Sequence, residues 1–371
     1  MKQYDTDKPR FSLYSACMTK LFILGHTGNV GSTLIQQIYK LDQSTIVGLA
    51  NSSGYILKLD GIVDGITLCD RDTFKTRATA YKSLSALAAI LIKKLPEETI
   101  IVDVTADASQ DMCDLHIELI KKGFRIATAN KNPLSLFSYD TFKTLTANRW
   151  HYGYNATVMA GGDATTYVQD MMAIGDPLKS IQGCFSGTLG YIMSGLEEGK
   201  QFSKIVADAH LKKYTEPHPW DDLNGLDIAR KMLILARTAG VDATEDMIVE
   251  PLLPARFGEI RDTEKFLAAI READSEMKQR SDEAKKKQMT LRFVASLKKN
   301  DKHCTVRIQM EEVPLKSTIG QLKGTANIIQ IVTRDRAPED CPHIIITKGA
   351  GTIRTAAAVR ADIARMATVS V

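Results

Sequence analysis

The sequence predicts an α/β chain: a doubly wound parallel sheet in the first 150 residues, followed by an α+β domain. Three observations carry this reading. Short apolar runs alternate with helical stripes through the first part of the chain. A glycine-rich turn joins the first run directly to the first stripe. Beyond residue 290 the strand-like runs are grouped instead of alternating with helices.

The elements follow in order. Residues 21–24 (LFIL) read as a buried strand. The turn is Gly25-His26-Thr27-Gly28-Asn29-Val30-Gly31, and after it Leu34, Ile35, Ile38 and Leu41 fall on one helical stripe. Residues 45–50, 99–104 and 124–127 read as further strands, with helical patterns at 83–94 and 109–122. Such alternation implies parallel strands joined by right-handed crossovers. Later strands are expected at 293–297, 304–310, 328–332 and 343–347. The charged stretch 263–287 reads as one solvated helix, and 353–367 as an amphipathic helix. Residues 1–17 are polar, are interrupted by Asp5 and Asp7, and read as a flexible leader, not a secretory signal.

Composition narrows the class. The 371 residues are 44% hydrophobic and 25% charged, the ordinary balance of a globular protein. No apolar run is long enough to cross a bilayer, so no membrane association is expected. A net charge of +4, dispersed along the chain, gives no footprint for nucleic acid. Six cysteines without a CxxC pair suit reduced thiols in a cytoplasm, and the seven histidines lack zinc-ligand spacing. A cytoplasmic enzyme is the expectation.

Three constellations carry chemistry. The GxxGxxG turn between strand and helix places Gly25, Thr27, Gly28, Asn29, Val30 and Gly31 where backbone N–H groups meet a pyrophosphate. A Rossmann-like dinucleotide site follows. The second strand ends in Ala50-Asn51-Ser52-Ser53, with no acid to hold both ribose hydroxyls, so NADP is expected over NAD. Thr105 and Lys131 sit just past later strands, at the carboxyl ends where such sheets bind ligands. The densest segment is 214–231, YTEPHPWDDLNGLDIARK, which holds four acids, Glu216, Asp221, Asp222 and Asp227. Asp227 and Lys231 stand at i and i+4 on a helix face that continues as Ile234 and Leu235. Charges on a face that buries itself must be paired or used. Lys231 is then a candidate proton donor, and the acids candidates for holding an ammonium group. The turns at Gly187-Thr188 and at Gly349 to Gly351 each open a helix and offer N–H groups to an anion.

At these residues the sequence resembles the homoserine dehydrogenases. YTEPHPWDDLNGLDIARKMLILAR is similar to the signature segment of that family, and IVDVTADAS, ATANK, FSGTLGYIMSGLEEG, EPLLPARF, LRFVASL and KGAGTIRTAAAVRADI follow in the family's order. The resemblance runs from about residue 21 to the end, without the aspartate kinase or appended regulatory domain of some relatives. It implies NAD(P)-dependent interconversion of L-aspartate 4-semialdehyde and L-homoserine, on the route to threonine and methionine. It also implies that Lys231 protonates the developing alkoxide with Lys131 beside it. By the same resemblance Glu216, Asp227, Asp222, Thr188 and Gly187 hold the substrate, and Thr105, Lys131, Gly349 and Gly351 face the cofactor. A homodimer follows too, as does a monovalent cation such as sodium near Asn155 and the backbone oxygens of Val158, Ala160 and Gly162. The division is then a dinucleotide-binding domain at 18–150, with the helix of 345–371 packing back on it, and a substrate-binding and dimerisation domain at 151–344.

Departures from the family pattern cluster. Lys213 stands for a glycine and His218 for an aspartate, while Asn155, Met159 and Asp163 replace an acid, a glycine and a proline. Gly190 stands where Asn or Ser is common, and Thr347-Lys348 replace Gly-Pro. Two other readings stay open: a reductase of another amino-acid semialdehyde, and a nucleotide-binding paralogue without turnover.

Overall fold

The computed structural model describes residues 18–41, 44–299, 304–348 and 351–368. The leader 1–17 and Gly349 lie outside the described residues. Two six-stranded sheets organise the chain. The first comprises β1 (Thr19–Leu24), β2 (Ser44–Asn51), β3 (Gly54–Leu57), β4 (Ile100–Asp103), β5 (Arg125–Thr128) and β6 (Tyr152–Gly153), in the order β3-β2-β1-β4-β5-β6. All its pairings are parallel except β2–β3, an edge hairpin that strand–helix alternation does not reveal. The sheet is wound on both faces. Leu21 and Ile23 of β1 join the cluster of helices Asn29–Leu41 and Thr352–Thr368, through Leu34, Ile35, Val359 and Ile363. Phe22 and Leu24 turn the other way, onto Leu87, Leu91, Met112 and Leu115 of helices Leu84–Lys94 and Gln110–Lys121. The period-2 alternation of a strand buried on both sides accounts for a run that is apolar throughout.

The second sheet takes β7 (Leu178–Cys184), β8 (Met247–Val249), β9 (Met289–Lys299), β10 (Cys304–Pro314), β11 (Ala326–Thr333) and β12 (His343–Lys348), ordered β12-β11-β7-β9-β10-β8. Its pairings are antiparallel apart from β8–β10. On one face Ile181, Leu297, Ile308 and Ile329 are buried in the large core that also takes in helices Gly187–Glu197 and Leu226–Thr238.

The expected single helix at 263–287 is a correction. Helix Thr263–Ala269 gives way to a 3₁₀ turn at Ile270–Ala273 before helix Asp274–Lys286. Nor is it simply solvated: Phe266, Ile270, Met277 and Ala284 are buried in the core. Its charges mask an apolar stripe with one buried position about every turn.

Candidate active site

The first-sheet crevice opens where the strand order reverses, between β1 and β4. Gly25 follows β1 with φ +84° and donates its N–H to Ala50 O at 2.9 Å. A Cβ there would stand 2.9 Å from Thr105 Cγ2, so only glycine lets the turn pass the end of β4. Gly28 N donates to Gly25 O, and helix Asn29–Leu41 begins at the next residue. At Gly31 a Cβ would lie 2.4 Å from Gly25 O, which locks helix against turn. Ser32 N donates to Gly28 O at 2.9 Å, which leaves the N–H groups of Asn29, Val30 and Gly31 at the positive dipole end of the helix, the place where an anion is favoured. Thr27 and Val30 are half-buried beside the turn, and Asn29 is exposed.

His26 is a residue that motif reading overlooks. It is fully buried, with Nδ1 facing Ala50 O and Nε2 facing Leu68 O, each at 3.1 Å. Burial lowers its pKa against the two carbonyls, which raise it. Its position inside a glycine turn was the available signal. Past β2, Asn51 Oδ1 accepts from Ser53 N at 2.8 Å, and Tyr81 donates its hydroxyl to Asn51 O at 2.9 Å. Ser52 and Ser53 are exposed, and the turn itself carries no acid.

Thr105 forms the opposite lip. Its N–H donates to Asp103 Oδ1 at 2.8 Å, and its hydroxyl oxygen accepts from Asn130 Nδ2 at 3.3 Å. Gly351 is exposed, and its carbonyl accepts from Arg354 and Thr355 in the first turn of the last helix.

Lys131, Asp227 and Lys231 meet across 96 residues of sequence. Asp227 opens helix Leu226–Thr238 just after Gly225, which takes φ +75°. Its Oδ1 accepts from Lys131 Nζ, and its Oδ2 faces Lys231 Nζ at 2.7 Å. Lys231 also donates to Phe185 O at 2.9 Å and is only 12% exposed. Burial opposes ionisation of Asp227, but the charges and hydrogen bonds of Lys231 and Lys131 outweigh it and hold the carboxyl well below its usual range. A carboxylate so held fixes two ammonium groups side by side.

The acidic loop packs nearby. Asp222, on the short helix Trp220–Leu223, accepts from Glu216 N at 2.8 Å. Burial pushes its carboxyl up to about 6, with repulsion from Glu216 and Asp227 adding to it. Thr188 donates its hydroxyl to Tyr214 O at 2.6 Å and so pins the loop to helix Gly187–Glu197, which Ser186 caps through Leu189 N. Glu216 is itself exposed on the loop.

The segment 155–163 lies elsewhere, against the last helix. Asn155 N donates to Asp362 Oδ2 at 2.9 Å, its Oδ1 accepts from Thr165, and its amide pairs with Asp163. Arg365 reaches Asp362 at 2.9 Å and Asp163 at 3.3 Å. Val158 and Ala160 are buried, and Gly162 N donates to Met159 O. The side-chain part of this donor set fits an alkali cation poorly. The one side chain offers a neutral amide already engaged, and a guanidinium supplies positive charge to the adjoining carboxylates. Among the described residues no group of three or more His, Cys, Asp or Glu could hold a metal.

A family model described as homoserine dehydrogenase matches residues 165–364. The chain is 31% identical over 357 residues to a bifunctional aspartokinase/homoserine dehydrogenase from Haemophilus influenzae, covering 93% of this chain and 42% of that one. It therefore spans under half the length of that relative. Homoserine dehydrogenase from Schizosaccharomyces pombe is 31% identical over 360 residues, covering 92% of this chain and 93% of its own. A hyperthermophilic archaeal homoserine dehydrogenase solved with NADPH shares the fold at TM-score 0.69, with 19% identity over 93% of this chain and 96% of its own.

Proposed function

From the premise that this chain belongs to the homoserine dehydrogenase family of NAD(P)-dependent oxidoreductases, we propose that it reduces L-aspartate 4-semialdehyde to L-homoserine, a step towards threonine and methionine. The observation that carries the proposal is the triplet of Lys131, Asp227 and Lys231, with Lys231 mostly buried and held by Phe185 O. A bound nicotinamide cofactor would supply the hydride. Lys231 Nζ then gives a proton to the aldehyde oxygen as negative charge develops there. Asp227 keeps that ammonium oriented, and Lys131 adds a second positive charge against the developing alkoxide. Asp222, Glu216 and Asp227 hold the substrate ammonium, while Thr188 and the N–H groups from Gly187 face its carboxylate.

The crevice at Gly25 to Gly31 and Thr105 holds the cofactor, and Gly351, just ahead of the last helix, contributes to it. The fit rests on the glycine approach, which a single Cβ would block. NADP is the preferred form, because the turn Asn51-Ser52-Ser53 has no carboxylate to repel a 2′-phosphate. No step runs through a cation. The first sheet with the helix Thr352–Thr368 makes the nucleotide domain, which runs past the expected end at 150 because β6 pairs with β5, and the second sheet, which runs past 344 to Lys348, belongs to the substrate and dimerisation domain. The working form is a homodimer through the second sheet. A cytoplasmic setting suits the five described cysteines, all of them free. No helix among the described residues is long and apolar enough to cross a membrane.

Nicotinamide absorbance on mixing the protein with aspartate semialdehyde and NADPH, then NADH, tests the reading. Oxidation is expected with both and faster with NADPH. Lys231→Ala is expected to lose about 10² to 10⁴ in rate while binding NADPH as before. Turnover that survives in Lys231→Ala removes the proton-donor role. NADPH binding with no oxidation transfers the chain to another semialdehyde or to a paralogue without turnover.

A further inference from the structure

Behind the crevice lies a fully buried chain of polar groups that the proposed reaction does not use. Asp103 ends β4, His116 lies on helix Gln110–Lys121, and Tyr152 belongs to β6; each is 0% exposed. Tyr152 OH stands 2.8 Å from His116 Nδ1. His116 Nε2 faces Asp103 Oδ2 at 3.2 Å, off hydrogen-bond alignment, and neither atom has another partner among the described residues. The second oxygen, Asp103 Oδ1, accepts the Thr105 N–H at 2.8 Å. A run of three such groups in an apolar core costs desolvation that Leu or Phe at the same places would avoid. All three come from different elements, and Asp103 links them to the half-buried Thr105. That residue is the wall against which Gly25 is packed.

We propose that Asp103 is a positioning residue for the nucleotide, oriented by His116 and Tyr152, and that it acts by holding the Thr105 backbone against the glycine turn. With the proton on His116 Nε2, the ring nitrogen beside Asp103, Nδ1 accepts from Tyr152 OH, and the polarity of the chain runs towards the carboxylate. Asp103 in turn keeps Oδ2 within 3.2 Å of the ring and spends Oδ1 on Thr105. Burial opposes its ionisation, but His116 and the Thr105 amide prevail and keep the carboxyl below its ordinary range. The bond to Thr105 is then charge-assisted, the stronger kind. The lip that meets the nucleotide is held from beneath, out of reach of solvent.

The inference rests on the crevice being the nucleotide site, and the experiment separates the two. NADPH affinity is measured directly by fluorescence for the wild type, Asp103→Asn and Tyr152→Phe, with steady-state kinetics and thermal unfolding alongside. Asp103→Asn keeps the shape but loses the charge. Its Kd and KM for NADPH are expected to rise about tenfold, the factor that about 1.4 kcal/mol represents. Its kcat at saturating NADPH and its KM for the aldehyde stay within about twofold. A merely structural role would instead lower kcat and raise both KM values together. Should Asp103→Asn fail to fold, Tyr152→Phe decides, with NADPH affinity expected to weaken about threefold at unchanged kcat. Unchanged affinity in whichever variant folds overturns the proposal. Wild-type protein that binds no NADPH overturns the nucleotide reading on its own account.

Discussion

Lys213 shows how much one residue of this chain departs from an ideal local choice. Helix Phe202–Leu211 ends in a Schellman turn: Lys213 N donates to His210 O at 3.0 Å and Tyr214 N to Ala209 O at 2.9 Å. The turn requires a left-handed residue after the cap, and Lys213 takes φ +58°. Glycine is at home there, whereas a lysine bears the clash of its Cβ with the carbonyl, roughly 1–2 kcal/mol. Glycine gives back part of that through its freer unfolded chain, roughly 0.5–1 kcal/mol. Lys213→Gly is therefore expected to stabilise the protein by about 0.5–1 kcal/mol, read from urea unfolding. A destabilised variant would show that the lysine side chain holds the loop by a contact that outweighs the strain. Met159, at φ +47°, has the same conformation, but its side chain is buried in the core, so glycine there would exchange strain for a cavity. Glycine-for-lysine is thus the cleaner reading of strain beside the acidic loop.

Between elements, the acidic loop and helix Leu226–Thr238 set two carboxylates in opposite states. Asp227 is held ionised by two lysines, while burial drives Asp222 up to about 6. A carboxyl whose folded pKa lies above its unfolded value of 3.8 adds stability that is fully present below 3.8 and is lost as pH rises through about 6. At neutral pH the ionised Asp222 is thus a cost, retained for the ammonium group it holds. Asp222→Asn is expected to be more stable than the wild type at pH 8 by on the order of 1–3 kcal/mol, with most of the gap gone at about pH 4.5. Its KM for the amino-acid substrate should rise at the same time. Urea unfolding at both pH values checks the first part, and an equal gap at both would mean the shift has another origin. The Asp227–Lys231 pair was legible in sequence because it is an i,i+4 contact on a stripe that then buries itself. Spacing alone could place Lys131 only at a strand end, and the family resemblance was needed to set it near Lys231, since no local pattern reports a contact between residues 96 positions apart. The same limit hid His116 and Tyr152, whose partners lie on other elements, and the true break at Ile270–Ala273 within a charged helix.

For the whole molecule, the alternation of strands and helices was enough to foresee the first sheet, because parallel neighbours linked by crossovers follow from chain order. In the second sheet β7 lies between β11 and β9, and that order depends on pairings across more than a hundred residues, which no spacing encodes. Its architecture bears directly on assembly. Among the described residues helices cover one face only, and the segment of Ile319 and Leu322 covers part of the other. On the other, Ile344 of the edge strand β12 heads a row that runs through Gln330, Gln182, Ser296 and Arg307 to Ile248. Ile344 is 39% exposed and Ile346 60%, while their neighbours Ile345 and Thr347 turn inward onto the segment around Gly162. An edge strand with two exposed isoleucines is a pairing surface that monomeric proteins blunt with charge. A two-fold axis would bring this patch against its own copy. Sedimentation at about 10 µM, a concentration at which a Kd near 1 µM (about −8 kcal/mol) leaves most chains paired, is expected to give a dimer. The double variant Ile344→Asp, Ile346→Asp should sediment as a folded monomer, because two carboxylates from each copy would face each other across the axis. A wild-type monomer, or a dimer that tolerates four opposed aspartates, would place the interface elsewhere on the second sheet or abolish it. Since the substituted positions lie on the face away from Lys231 and helix Leu226–Thr238, NADPH oxidation by the monomer then measures whether one chain makes a complete active site.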